Sequence, residues 1–329
     1  MPGSFILQQV LEDPMLSNFE MGLRRLYYPL GFPLEVQTNS RQVIEAASEA
    51  WGLFSQSFDI TPMRLALGVR KADLAEPLPA KSNFMAREHL MSIVINADNF
   101  VVCDFKAAFS FGWITPEVAS DSSALRYRLL TPSAIMMAQH VALAALHSAL
   151  VIRKDCGVLL CGDSFAGKST LAYACARAGW TYVTDDGTFL VRNRADRYAV
   201  GNPHFIRFRE DARQLFPELA KWLVITRPNG KIGMEVPTRD LEIAIAPGAN
   251  IEHVVFLDRN HAGPARLRRS PEDQLQAWCE RFVSFGSDEV RAAQTRSHAR
   301  LLDAHIWKMS YQNFDDAVRR LEQLVDSGG

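Results

Sequence analysis

No stretch limits the possible folds of this chain more than "GVLLCGDSFAGKST", residues 157 to 170. "GVLLC" is an uncharged run of the kind found in a strand buried on both faces, and "STLAYACARAG" suits a helix ending at Gly179. Between them Gly162, Gly167, Lys168 and Ser169 satisfy G-x-x-x-x-G-K-[ST], the Walker A phosphate loop. In such a loop the backbone N–H groups of Gly162, Asp163, Ser164, Phe165, Ala166, Gly167, Lys168, Ser169 and Thr170 surround phosphate oxygens, and the helix N-terminus adds its positive end. The glycines admit a backbone that side chains would obstruct, Lys168 can reach the β and γ phosphates, and the Ser169 hydroxyl can ligate magnesium. A plain turn between strand and helix is the alternative, and the strand before and helix after weigh against it.

After the loop, a helix of about ten residues travels about 15 Å away and "WTYVT" as a strand returns about 16 Å. Asp185 and Asp186 therefore come back to phosphate level. A parallel strand beside the loop's own strand would put them at the carboxyl edge of the sheet, where open α/β sheets bind ligands. One carboxylate can hold magnesium while the other accepts a proton from an attacking hydroxyl. Taken alone, "DDG" reads as an ordinary turn; the phosphate loop shifts the reading toward chemistry. Asp258, which closes the apolar run "HVVFLD", is a rival magnesium carboxylate, ranked lower because 90 residues separate it from Lys168 and no sequence signal sets its strand beside the loop.

The segment "HSALVIRKDCGVLLCGDSFAGKSTLAYACARAGWTYVTDD", 147 to 186, resembles the catalytic domain of the bacterial HPr serine kinase/phosphorylase family. It shares that family's histidine, two short strands, GDSxxGKS loop, helix ending in RxG, strand and acidic pair. The resemblance implies an α/β phosphate-loop catalytic domain of the HPr-kinase/phosphoenolpyruvate-carboxykinase-like type, using Mg2+ and ATP, with GTP as the other nucleotide to test. It further implies that Asp185 and Asp186 are the magnesium-binding and basic carboxylates, in either order, and that His147 tunes the basic one; the order taken here is Asp185 with Ser169 on the metal and Asp186 as base, with Lys168 on the transferred group. Without it, His147 would read as a hydrogen-bonded core histidine. The family's signature for phosphorolysis has no counterpart in "GNPHFIRFREDARQLF", so the resemblance does not extend to phosphorolysis or to HPr as acceptor. Its outlying members include kinases that phosphorylate the C-terminal serine of lasso-peptide precursors, which points to a serine-type hydroxyl on a peptide or protein. A small-molecule alcohol and a non-kinase nucleotide switch or scaffold are the alternatives. The family also suggests a homo-oligomer.

The catalytic domain is expected over 129–329, preceded by an α+β module over 1–128 whose chemistry is opaque. In that module "PLEVQT", "MRLALGVR", "LMSIVINA" and "NFVVCDF" read as strands, and "NSRQVIEAASEAWGLFSQ" as a helix capped by Asn39 or Ser40. Turn-forming residues in "PEVASDSSALRYRLLTP", 116 to 132, suggest the junction. At the other end "NFDDAVRRLEQLV" predicts an amphipathic closing helix behind an Asn313 cap.

Thirty-six Lys and Arg against 37 Asp and Glu leave no global positive field for nucleic acid or an anionic membrane. "SAIMMAQHVALAALHSALVI", 133 to 152, approaches membrane-spanning length, but Gln139, His140 and His147 interrupt it, so a buried helix running into a strand is expected. Five cysteines without a CxxC pair, and a start lacking a secretory pattern, suit a reducing cytoplasm. Arg207, Arg209 and Arg213 in "FIRFREDAR" could bind a γ-phosphate or an acidic acceptor, but read first as a solvated basic face, with Lys231 open to the same two readings, and "RNHAGPARLRRS" reads as a basic loop. His204, His253 and His261 have no metal-ligand spacing.

Overall fold

The computed structural model describes residues 20–71, 78–79, 81–226, 230–259, 263–283 and 286–327. They form a mixed α/β structure with three sheets. The first sheet contains β1 (Leu23–Tyr27), β2 (Leu34–Thr38), β3 (Met63–Val69), β4 (Asn83–Arg87), β5 (Leu90–Asn96), β6 (Asn99–Asp104) and β7 (Phe109–Ile114), in the order β1-β2-β3-β7-β6-β5-β4. Helix α1 (Arg41–Trp51) crosses over between the parallel strands β2 and β3, as a parallel pair requires. It buries Val43, Ala46, Ala47 and Trp51, the face its spacing predicts, together with Leu34, Val36, Leu65 and Leu67. Ser40 occupies the N-cap position without a side-chain cap, and Asn39 instead ties the chain to the backbone of Val69.

Residues 116 to 130, expected as a turn-rich junction, are helical, and the helix α2 (Thr131–Val141) follows directly. The reason is packing. Val118, Leu125, Leu129, Leu130, Ala134, Met137 and Ala138 join the core of the first sheet, which continues to Leu143, Val191 and Val200. The apolar stretch 133–152 is thus a buried helix followed by two strands, and no described helix is long and apolar enough to cross a membrane.

The second sheet holds β8 (Leu143–Leu146), β9 (Ser148–Arg153), β10 (Cys156–Cys161), β11 (Thr181–Thr184), β12 (Thr188–Val191) and β13 (Tyr198–Val200). A separate three-stranded sheet, order β14-β16-β15, is made by β14 (Phe205–Phe208), β15 (Ile225–Thr226) and β16 (Ile232–Pro237). The second sheet is completed by β17 (Ala244–Ile245), β18 (Gly248–Asp258), β19 (Arg266–Arg269) and β20 (His305–Ser310). Part of the expected basic loop is therefore strand β19, paired with β20; 260–262, including His261, lie outside the described residues.

The strand returning from the phosphate-loop helix is not beside the loop's own strand, contrary to the sequence expectation. Lys154 and Asp155 both take positive φ, 50° and 63°, in the two-residue turn that folds β9 back against β10. β9 therefore fills the expected place, and β11 pairs with its far side, still running in the direction of β10. On the other side of β10 lies β18, parallel to it, with Cys161 opposite Phe256. The strand of Asp258 is thus set beside the loop, which the sequence did not reveal.

Side chains of β10 alternate between two covered faces. Val158 and Leu160 meet helix α3 (Lys168–Arg177) and the closing helix, while Leu159 and Cys161 meet the helix α4 (Glu272–Glu280). The last helices are α5 (Asp288–Ala299) and α6 (Phe314–Asp326), the latter capped by Asn313 accepting from the N–H of Asp316. Helix α3 ends as expected: the N–H of Trp180 reaches Cys175 O and that of Gly179 reaches Ala176 O, with Gly179 at φ 87°. Four of the five cysteines are buried and all are free.

Helix α5 is fastened to β8 by His298, whose Nε2 lies 3.0 Å from the carbonyl of Ala145. Burial pushes the imidazole down from 6.5 to about 4. The unfolded chain therefore takes up a proton first as pH falls, so the stability due to neutral His298 is complete above about 6.5 and drains away toward pH 4. Urea unfolding of wild type and His298→Gln should give stabilities whose difference changes across that window, wild type falling more steeply as pH drops; parallel curves would mean that His298 titrates alike in both states.

Candidate active site

The carboxyl ends of β10, β11, β18 and β20 share one edge of the second sheet, and the start of antiparallel β9 emerges between the first two. His147, immediately before β9, is thereby delivered between the phosphate loop and the acidic turn. The loop takes left-handed backbone at two residues: Gly167, φ 88°, where the motif has its glycine, and Phe165, φ 75°, where a side chain makes it strained. A Cβ on Gly167 would come 2.7 Å from the Tyr311 hydroxyl, which donates to the carbonyl of Ala166 at 3.0 Å. The main chain is thus clamped from β20 as well as from its own strand.

His147, Asp163, Ser164, Phe165, Gly167, Lys168, Ser169, Thr170, Asp185 and Asp186 line one cavity of about 560 Å³. Gly162 and Ala166 face a second cavity across the loop, with Asp258 and Trp278. Asp258 sits 3.2 Å from Lys308 Nζ on that far side.

The two aspartates have different surroundings. Asp185 is 2% exposed, its carboxylate accepting from the Tyr182 hydroxyl at 3.2 Å and from the backbone N–H of Arg207 at 3.0 Å. Burial raises its pKa, and the positive charge of Arg207 pulls it part of the way back. Asp186 is more open, with Oδ1 3.1 Å from His147 Nδ1. Burial lowers the His147 pKa, with the Asp186 charge opposing that shift. A neutral imidazole donating from Nδ1 to the carboxylate accounts for this pair.

Lys168 is 7% exposed, with Nζ bonded to the carbonyls of Gly162 at 2.7 Å and Asp163 at 3.3 Å. Desolvation lowers its pKa, and Asp186 is the largest opposing influence. The Ser169 hydroxyl reaches the carbonyl of Asp185 at 3.4 Å, linking the start of α3 to the acidic turn. These groups suit a hard cation, since Ser169 Oγ and both carboxylates offer oxygen. Among the described residues no three His, Cys, Asp or Glu side chains converge, so a magnesium ion here would share its coordination with phosphate oxygens and water.

The sequence favours a solvated face for Arg207, Arg209 and Lys231 over contact with a phosphate or an acidic acceptor; all three line the cavity. The signal was present in the two-residue spacing of Arg207, in β14, and Arg209, just beyond it, but nothing local showed that both would face the cavity of the phosphate loop. Tyr311 gave no signal, because its partner, the carbonyl of Ala166, is 145 positions away. Arg213 is turned away, with its guanidinium on the carbonyl of Trp222.

No protein-family model and no curated protein matches the chain. Among solved structures, the Hpr(Ser) kinase/phosphatase from Coxiella burnetii is similar over 56% of this chain and 98% of that chain, at 13% identity and a TM-score of 0.29. A likeness that distant carries no argument about the site, whose reading rests on its own geometry.

Two glycines with nearly the same φ separate backbone strain from crowding. Gly179, at φ 87°, has open space where a Cβ would go, whereas Gly167 does not. Gly179→Ala should cost about 1 to 2 kcal/mol in urea unfolding, the left-handed backbone penalty alone. Gly167→Ala should cost more, since its Cβ would also meet the Tyr311 hydroxyl; equal costs would refute the clamp by Tyr311.

Proposed function

We propose that this chain is a Mg2+- and ATP-dependent kinase that transfers the γ-phosphoryl group to a serine-type hydroxyl on a peptide or protein. The observation that carries this reading is the His147–Asp186 pair at 3.1 Å, in the same cavity as Lys168 and Ser169. A buried ammonium at a phosphate loop suits a triphosphate, and a partly open carboxylate beside it suits an alcohol that must lose a proton.

In the proposed reaction the main-chain N–H groups of residues 162–169 bind the phosphates and Lys168 neutralises charge on the β and γ groups. Ser169 and Asp185 would hold magnesium, which supplies further charge neutralisation on the phosphate oxygens. The acceptor hydroxyl gives its proton to Asp186 while its oxygen forms a bond to the γ-phosphorus. The bond from that phosphorus to the β–γ bridging oxygen breaks, and ADP departs with the electron pair. His147, neutral, holds the Asp186 carboxylate in place by its Nδ1–H. The Tyr182 hydroxyl and Arg207 N–H keep Asp185 from swinging into the path of the acceptor.

Incubation with γ-labelled ATP and an extract of source cells should place label on a polypeptide acceptor. Label on a small molecule would redirect the substrate class, and label found only in inorganic phosphate would favour a nucleotide switch. Asp186→Asn should lower transfer by about 100-fold or more while Mg-ATP still binds. Lys168→Ala should lose nucleotide binding in calorimetry; undiminished transfer by either variant would sink its assigned role.

A further inference from the structure

Phe165 is the least economical residue of the phosphate loop. It carries a bulky side chain at φ 75°, a conformation that is strained for an L-residue, and it is 75% exposed. Neither the backbone nor the core benefits: a glycine would adopt the same φ freely, and the ring belongs to no described hydrophobic cluster. What the ring does touch is Arg209, whose guanidinium carbon stands over the ring, 3.4 Å from its centroid, a cation–π contact.

Arg209 is placed with care from the other side. It follows β14 directly, two residues after Arg207, whose backbone N–H is bonded to the Asp185 carboxylate. The acidic turn therefore sets where Arg209 emerges. Both arginines line the cavity of Lys168 and Asp186. Their commitments differ. Arg207 Nε lies 3.9 Å from Glu235, whereas no carboxylate among the described residues is within ion-pair distance of Arg209. A planar cation with no anionic partner, braced by an aromatic ring on a phosphate loop, is prepared for an anion that arrives with the substrate.

We propose that Arg209 contacts the transferred phosphoryl group and is a catalytic residue of this site, and that Phe165 is the positioning residue that holds it there. The inference rests on the kinase reading and adds to it the group that balances charge as the phosphoryl passes between oxygens. The bonds made and broken are those of the transfer above; Arg209 keeps all its protons and donates hydrogen bonds to the equatorial oxygens, where charge collects in the transition state. Phe165 makes no contact with the reacting atoms. Its ring fixes the guanidinium plane, so little rotamer freedom remains to be lost when the phosphoryl group arrives.

Calorimetry with Mg-ADP alone, and with Mg-ADP plus aluminium fluoride as a mimic of the phosphoryl group in flight, reads the two roles without any acceptor. Wild type should bind the fluoride complex far more tightly than ADP. Arg209→Ala and Arg209→Lys should keep ADP affinity within about twofold yet lose about 100-fold of the preference for the fluoride complex. Phe165→Ala should do the same, and Phe165→Tyr, which keeps a ring face, should restore the preference. Full preference in Arg209→Ala would overturn the assignment. A Phe165→Ala variant that weakens ADP itself as much as the fluoride complex would show that the ring binds the nucleoside, ending its positioning role. Should wild type take up no nucleotide at all, the kinase reading falls and this inference with it, an outcome distinct from any confined to the variants.

Discussion

The site depends on one constraint of strand order: β9 lies antiparallel between two strands that run together. Had the turn at Lys154–Asp155 not folded β9 onto β10, the acidic turn and the loop would be neighbours with no chain entering between them. Because it does, the sheet edge presents the end of β10, the beginning of β9 and the end of β11 side by side. A lysine, a histidine and a pair of aspartates from three separate strand ends are thereby brought to one cavity. Residues just beyond strand ends are free of ladder bonds, so their side chains can face a ligand while the sheet holds their positions.

Burial then divides the labour among charges. Lys168 and Asp185 are nearly inaccessible, and each is satisfied by fixed dipoles: two loop carbonyls for the ammonium, a tyrosine hydroxyl and a backbone N–H for the carboxylate. A buried charge without such partners would be neutralised or expelled. Asp186 and His147 stay half open, which leaves them able to exchange a proton with an incoming group. The pinning of Asp185 also carries outward, since the same N–H of Arg207 anchors β14 and thereby the base of the Arg209 side chain.

Much of this was legible locally. The four fixed positions of the phosphate loop, the helix from Lys168 to its Gly179 stop and the Asn313 cap obey short-range rules, and the structure contains each of them. The acidic pair was located by adding helix and strand lengths, which gives height along the sheet but not lateral position. That is why the return strand was expected one place too close to β10, and why the placement of β18, with Asp258 at its end, went unseen. The helices at 116–130 were missed because Pro116, Asp121 and the serines look like turn residues, while the apolar side chains between them declare themselves only against the first sheet. Arg207 and Arg209 were read as solvated for a related cause: a basic pair on a strand face looks the same whether it meets water or a cavity.

By itself, the sequence determined that a strand, a glycine-rich loop and a helix follow one another, and that two carboxylates return to the level of that loop. Backbone sterics and hydrogen-bond geometry over a few residues suffice for that. Only the tertiary structure decided which groups share the cavity: His147 rather than another histidine, Asp186 open and Asp185 enclosed, Arg209 on the ring of Phe165, Asp258 on the far side of the loop. Those choices depend on strand order and on contacts between residues tens to more than a hundred positions apart, for which a linear pattern has no term.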